Sequence, residues 1–185
     1  MTTPDPDPEP RGGAVEQSTA ATAARAGDTA AARLKERIYA TITLTAVVVT
    51  LSEADTHDPE EAALTVAGAA LGVWLATLVA DEQAHRAVSK RGASRAEIRT
   101  ALYVSAPLLL SAVGPLVLIG VSALGAMDLG TALLISAGVE VATLFLWGWR
   151  TGLRMGNGPL SALVSGLLDT AIGVGVVGVK FLAGH

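Results

Sequence analysis

Two carboxylic acids interrupt stretches that are otherwise apolar or small. Glu140 lies within LISAGVEVATLFLW (134–147), and Asp169 lies within LSALVSGLLDTAIGVGVVGVKFLAG (160–184). A charged carboxylate at the centre of a membrane-spanning helix costs about 2.5–3.5 kcal/mol on insertion scales, so an acid in such a place has a partner or a task. Glu140 stands nine residues before Trp149, and Asp169 ten residues after Pro159. At 1.5 Å per residue those depths are about 14 and about 15 Å. The linking stretch RTGLRMGNGP is short, so antiparallel neighbouring helices would bring the two carboxyls to one level. Such a pair can hold a proton between its members, relay it, or exchange it for a cation. A hard divalent cation takes oxygen ligands, and Thr143, Ser136, Ser165 and Thr170 lie close in sequence. Thr41 and Thr45, one helical turn apart, could add hydroxyls from another segment. The alternative is structural: each acid hydrogen-bonds a neighbouring helix and holds the bundle together.

A second cluster is ADEQAHR (80–86), where Asp81, Glu82 and His85 can share one helix face. The Glu-x-x-His spacing occurs in carboxylate-rich metal sites, but those use two such motifs on facing helices. The chain has one, and a solvated helix end is the other reading.

The elements that must carry these residues are apolar. Of 185 residues 51% are hydrophobic and 16% charged, with mean hydropathy +0.50. That is too little charge to coat an ordinary soluble domain, for which about a quarter is usual. The chain has no cysteine, which excludes disulfides and thiolate chemistry. No nucleophile or histidine pair is placed for catalysis, so an enzyme is not expected. Residues 1–27, beginning MTTPDPDPEPRGG, read as a disordered cytoplasmic tail without a signal-peptide core. Residues 28–185 read as an all-α integral membrane domain with five transmembrane helices at about 38–52, 62–80, 101–124, 129–149 and 160–184. Asp28 is the expected cap of the helix leading into the first.

Lys and Arg fix the orientation of that arrangement. Five precede the first segment, five lie between the second and third (Arg86 to Arg99), and Arg150 and Arg154 lie between the fourth and fifth. All twelve fall on one side, leaving Lys180. The opposite connections, EADTHDPEE and GAMD, have none. The positive-inside rule then places the N-terminus in the cytoplasm and the C-terminus outside the plasma membrane. Tyr39, Tyr103, Trp147 and Trp149 fall at the inner ends, where amphipathic rings sit well, while Trp74 reads as core packing. Anionic headgroups account for the basic rim, so nucleic-acid binding has no support and the lipid bilayer is the expected partner. Gly68 and Gly72 form a G-x-x-x-G step, a possible homodimer face. Pro107 and Pro115 should bend the third segment.

Laid out this way, three stretches resemble the vacuolar iron transporter family. AGAALGVWLATLVADEQAHRAVSKRG resembles its second helix running into a charged cytoplasmic stretch. SAVGPLVLIG resembles its third, and LFLWGWRTGLRMGNGPLSALVSGLLDTAIG its fourth-to-fifth turn. The resemblance implies a dimer that exports a divalent metal ion, Fe²⁺ or Mn²⁺, against protons. The family's own metal residues do not map onto this chain: ERIYATITLT carries no acid inside the apolar run, and Met127 and Met155 fall at helix ends. Glu140 and Asp169 would then form a relocated site.

Overall fold

The structure is a computed structural model that describes residues 11–54, 57–156 and 158–183. The proline–acid stretch 1–10 of the expected tail lies outside the described residues. Every described element is an α-helix: α1 (Arg11–Glu53), α2 (Pro59–Ser89), α3 (Arg95–Ser111), α4 (Val113–Ala123), α5 (Leu129–Arg154) and α6 (Gly158–Ala183).

Local signals explain most of the boundaries. Asp58 caps α2 by accepting the Glu60 N–H at 2.9 Å, with Pro59 in the first turn, where its missing N–H costs nothing. Ser94 and Glu97 form a reciprocal capping box at the start of α3. Asp128 caps α5 by accepting the Thr131 N–H at 2.8 Å, and hydrogen bonds from Thr131 hold its carboxyl below the usual carboxylate range. α3 and α4 are one apolar run broken at Ala112. Pro115 has no N–H to offer the Ser111 carbonyl, and the Ala112 N–H turns to Leu109 O at 3.3 Å. Gly156 and Gly158 take φ of +74° and +86° in the turn between α5 and α6, backbone that side-chain-bearing residues rarely adopt.

Two boundaries differ from the sequence expectation. α1 begins at Arg11, so residues 11–27 are helix and Asp28 lies inside α1 rather than at its start. Alanine, the best helix former, recurs through this part, and no proline follows Pro10 before Pro59. α5 likewise runs on past Trp149 to Arg154, because no glycine turn intervenes before Gly156.

Among the described residues four helical runs are long and apolar enough, by length and composition, to cross a membrane: α2, the α3–α4 run, α5 and α6 from Gly158 to Gly175. The count is four rather than the expected five because the apolar part of α1 starts only after Arg37. About 15 residues rise roughly 22 Å, short of a ~30 Å hydrocarbon layer. Yet α1 is central, packing against α2, α3, α5 and α6. Its Leu44, Val48 and Leu51 join Ala62, Val66 and Ala70 of α2, Ile119 of α4 and Leu133 of α5 in the main apolar core. The outward faces are also apolar. Leu64 and Val79 of α2, Leu110 and Val117 of α3–α4, Leu134 of α5 and Leu168 of α6 are all exposed.

Candidate functional site

α5 buries one side along a row four residues apart: Ala132, Ser136, Glu140, Leu144, Gly148 and Gly152. Residues at that spacing line one helix face. The two halves of the row meet different neighbours.

The lower half meets α6. A Cβ added to Gly148 would lie 2.5 Å from Asp169 Oδ2 and 2.8 Å from Gly166 Cα, and one on Gly152 would strike Ala162 Cα. A Cβ on Gly166 would fall 2.9 Å from Phe145 O. These two helices therefore touch backbone to backbone, and Asp169 lays its carboxyl over Gly148. Ser165 enters the same contact through its backbone carbonyl, while Thr170 donates to Gly166 O at 2.8 Å.

The upper half meets α1. Glu140 is only 6% exposed. The Thr41 hydroxyl is its hydrogen-bonding neighbour, and the Arg37 guanidinium is the cation that acts on it. Arg37 itself lies over the Trp147 ring, 4.8 Å from its centre. Thr41 and Thr45 are 2% and 1% exposed and donate to Arg37 O at 2.9 Å and Thr41 O at 2.7 Å. Buried Ser136 donates to Ala132 O at 2.9 Å. The result is a polar seam, Arg37–Thr41–Thr45 on α1 against Glu140 and Ser136 on α5.

Glu140 and Asp169 do not share a site. Asp169 meets α5 at Gly148, eight residues from Glu140, which is a rise of about 12 Å. Counting depth from Trp149 and Pro159 missed the extra helix up to Arg154. It also missed a directional effect. Helical side chains lean toward the N-terminus of their own helix, so on antiparallel helices the two carboxyls lean apart. Of the hydroxyls expected to support the pair, Thr41 joins Glu140 and Thr45 continues its row. Thr143 donates to its own helix at Val139 O, 2.8 Å away, and Ser165 stays with α6.

Arg37 was not singled out in the sequence, although its spacing of four from Thr41 was a readable signal. The Gly148–Gly152 step, packed against Ala162 and Gly166, was equally readable as G-x-x-x-G. Gly68 and Gly72, in contrast, have nothing within 4 Å of an added Cβ. The expected dimer step is thus unused within the chain.

The Asp81–Glu82–His85 cluster lies beside Lys35 and Glu36 of α1 and the first turns of α3. Glu82 pairs with Arg86 at 2.7 Å, and His85 Nε2 lies 3.7 Å from Glu97 Oε2. Among the described residues no three of His, Asp and Glu converge as a metal site. Arg33 lies 3.8 Å above the Tyr103 ring and donates to Tyr103 O at 2.6 Å, tying α1 to α3. Trp74, expected in the core, is half-buried and donates to Ser105 Oγ at 3.1 Å.

Comparison of the chain with protein-family models, with curated proteins and with solved structures finds no match.

Proposed function

We propose that this chain is a small integral membrane protein that moves or conducts a proton or small cation, with Glu140 as the exchanging group. The observation that carries this reading is the placement of Glu140, nearly fully buried, against Thr41 and within reach of the Arg37 charge. Thr41 has one hydroxyl hydrogen and two acceptors, Arg37 O and the Glu140 carboxyl. A protonated Glu140 supplies the second hydrogen by donating to Thr41 Oγ1. An ionised Glu140 takes its compensation from Arg37 instead. The seam thus has a hydrogen-bonding arrangement for each state, which a carboxyl that exchanges its proton requires.

The exposed apolar faces support a bilayer around the molecule. In this reading α1 is a fifth span: held by four other helices, it needs less lipid-compatible surface than its neighbours. The distribution of Lys and Arg supports an inner N-terminus in the plasma membrane, and the open Gly68–Gly72 step leaves a face for a second copy of the chain. The resemblance to vacuolar iron transporters supports the same topology. The donor set argues for a different cargo. Glu140 with three hydroxyls offers one carboxylate, whereas a hard divalent cation favours six or more oxygens with several carboxylates among them.

A second reading, a non-transporting membrane scaffold in which Glu140 only fastens α5 to α1, is favoured by one observation. The clefts at the junction of α1, α2 and α3 do not reach Glu140. Flux driven by a pH or cation gradient across proteoliposomes separates the two. Transport expects Glu140→Gln to abolish flux while expression and thermal stability persist. Parental flux in that variant, or none from the parent chain, would overturn the proposal.

A further inference from the structure

Residues of α1, of the second half of α2 and of the first half of α3 line a cavity of about 730 Å³. Four carboxylates line it: Glu36, Asp81, Glu82 and Glu97. Leu78, Ile98, Ala101, Leu102 and Val104 add apolar lining. A neighbouring cleft of about 550 Å³ shares Lys35, Glu36 and Asp81, so this acidic edge is open from two sides.

The charges inside are unevenly matched. Glu82 is paired with Arg86 at 2.7 Å, and Glu97 with Arg91 at 2.8 Å. Glu36 has a side chain only 9% exposed, and its partner at 3.0 Å is Lys35, whose own side chain is 75% exposed and free to swing into solvent. Asp81 makes no ion pair among the described residues. The side of the cavity formed by Glu36 and Asp81 therefore holds negative charge that the chain balances least. His85 Nε2 adds a second observation: the atom is buried in the cavity wall, 3.7 Å from Glu97 Oε2, and makes no hydrogen bond among the described residues.

We propose that this cavity binds an amphipathic organic cation, a single ammonium or equivalent charge on an apolar body. The charge sits between Glu36 and Asp81, displacing Lys35, and the body lies on Leu78, Ile98 and Leu102. An amine N–H would also satisfy His85 Nε2. The volume lies within the range of small-molecule sites, which pair an apolar lining with a few placed polar groups. A bare metal ion would leave the apolar lining without a partner. A zwitterionic lipid headgroup would bring its phosphate against four carboxylates, so a free cation is the occupant. The site is separate from the Glu140 seam, and binding is read without any gradient.

The test uses the full chain in phosphatidylcholine nanodiscs with rhodamine 6G, a fluorescent lipophilic cation, followed by anisotropy against empty nanodiscs. Saturable binding is expected, displaced by dodecylamine and not by dodecanol, which has the same chain length without the charge. Glu36→Gln and Asp81→Asn should each weaken binding roughly tenfold or more, the scale of one charge-assisted contact. Ala101→Phe should weaken it by filling the cavity, and Glu53→Gln, at the outer end of α1, should leave it unchanged. Thermal melting of each variant identifies any that fail to fold, and the three cavity variants act independently, so one misfolded protein does not remove the test. Binding no greater than to empty nanodiscs, displacement by dodecanol equal to that by dodecylamine, or parental affinity in both folded acid variants would overturn the proposal.

Discussion

If Glu140 is held by α1 and not by Asp169, the energetic coupling between these residues must follow the same division. The perturbations are Glu140→Gln, Thr41→Val and Asp169→Asn, singly and in pairs. Thr41→Val keeps the shape of a side chain that is 2% exposed and removes its hydroxyl. Hydrogen bonds between helices in membranes average about 0.6 and reach about 1.7 kcal/mol in double-mutant cycles. The enclosed Glu140–Thr41 contact belongs in the upper part of that range, at about 1 kcal/mol. The Glu140–Asp169 pair is separated by about 12 Å of helix rise along α5, and groups that far apart without shared partners add within about 0.5 kcal/mol. Equilibrium unfolding in bicelles titrated with a denaturing detergent measures all the variants on one scale. Coupling of Glu140 to Asp169 as large as its coupling to Thr41 would refute the assignment of Glu140 to the α1 seam.

The α5–α6 contact gives a second expectation. Gly148→Ala and Gly152→Ala should each destabilise by about 1–3 kcal/mol, because the new methyl group meets backbone it cannot displace. Gly72→Ala, in open space within α2, should not destabilise the monomer and should gain up to about 1 kcal/mol of helix propensity. A melting-temperature series on the three variants checks the contrast, and equal losses would contradict the close approach. Ahead of the apolar part of α3, Glu97 is held down to about 2 by its hydrogen bonds from Arg91 and then by the Ser94 N–H. Its folded value lies below the ordinary 4.5, so its support of the turn between α2 and α3 is complete above about pH 4.5 and fades as pH falls toward 2. Amide-exchange protection in the first turn of α3 should follow that profile and lose its pH dependence in Glu97→Gln.

Much of this architecture was legible before folding is considered. Asp58–Pro59, Ser94 with Glu97, and Asp128 announce helix starts through groups that act within one turn. Pro115 announces the break after Ser111 by the N–H it lacks. Glu140 announces itself because an acid among apolar residues is costly wherever the chain places it. These signals are local, and each needs only its own neighbours in sequence.

What the tertiary structure decided is which buried groups meet. Helical periodicity assigns a residue a height and a face relative to its own helix, and leaves open which neighbour that face turns toward. The register of α5 on α6 is set by Gly148 and Gly152 letting two backbones touch, and that register carries Asp169 to Gly148 rather than to Glu140. The lean of side chains toward their own N-termini then separates the two acids further. Thr41 and Arg37 become the partners of Glu140 because α1 occupies the centre of the bundle, a position fixed by the packing of four other helices around it and by no residue of α1 alone.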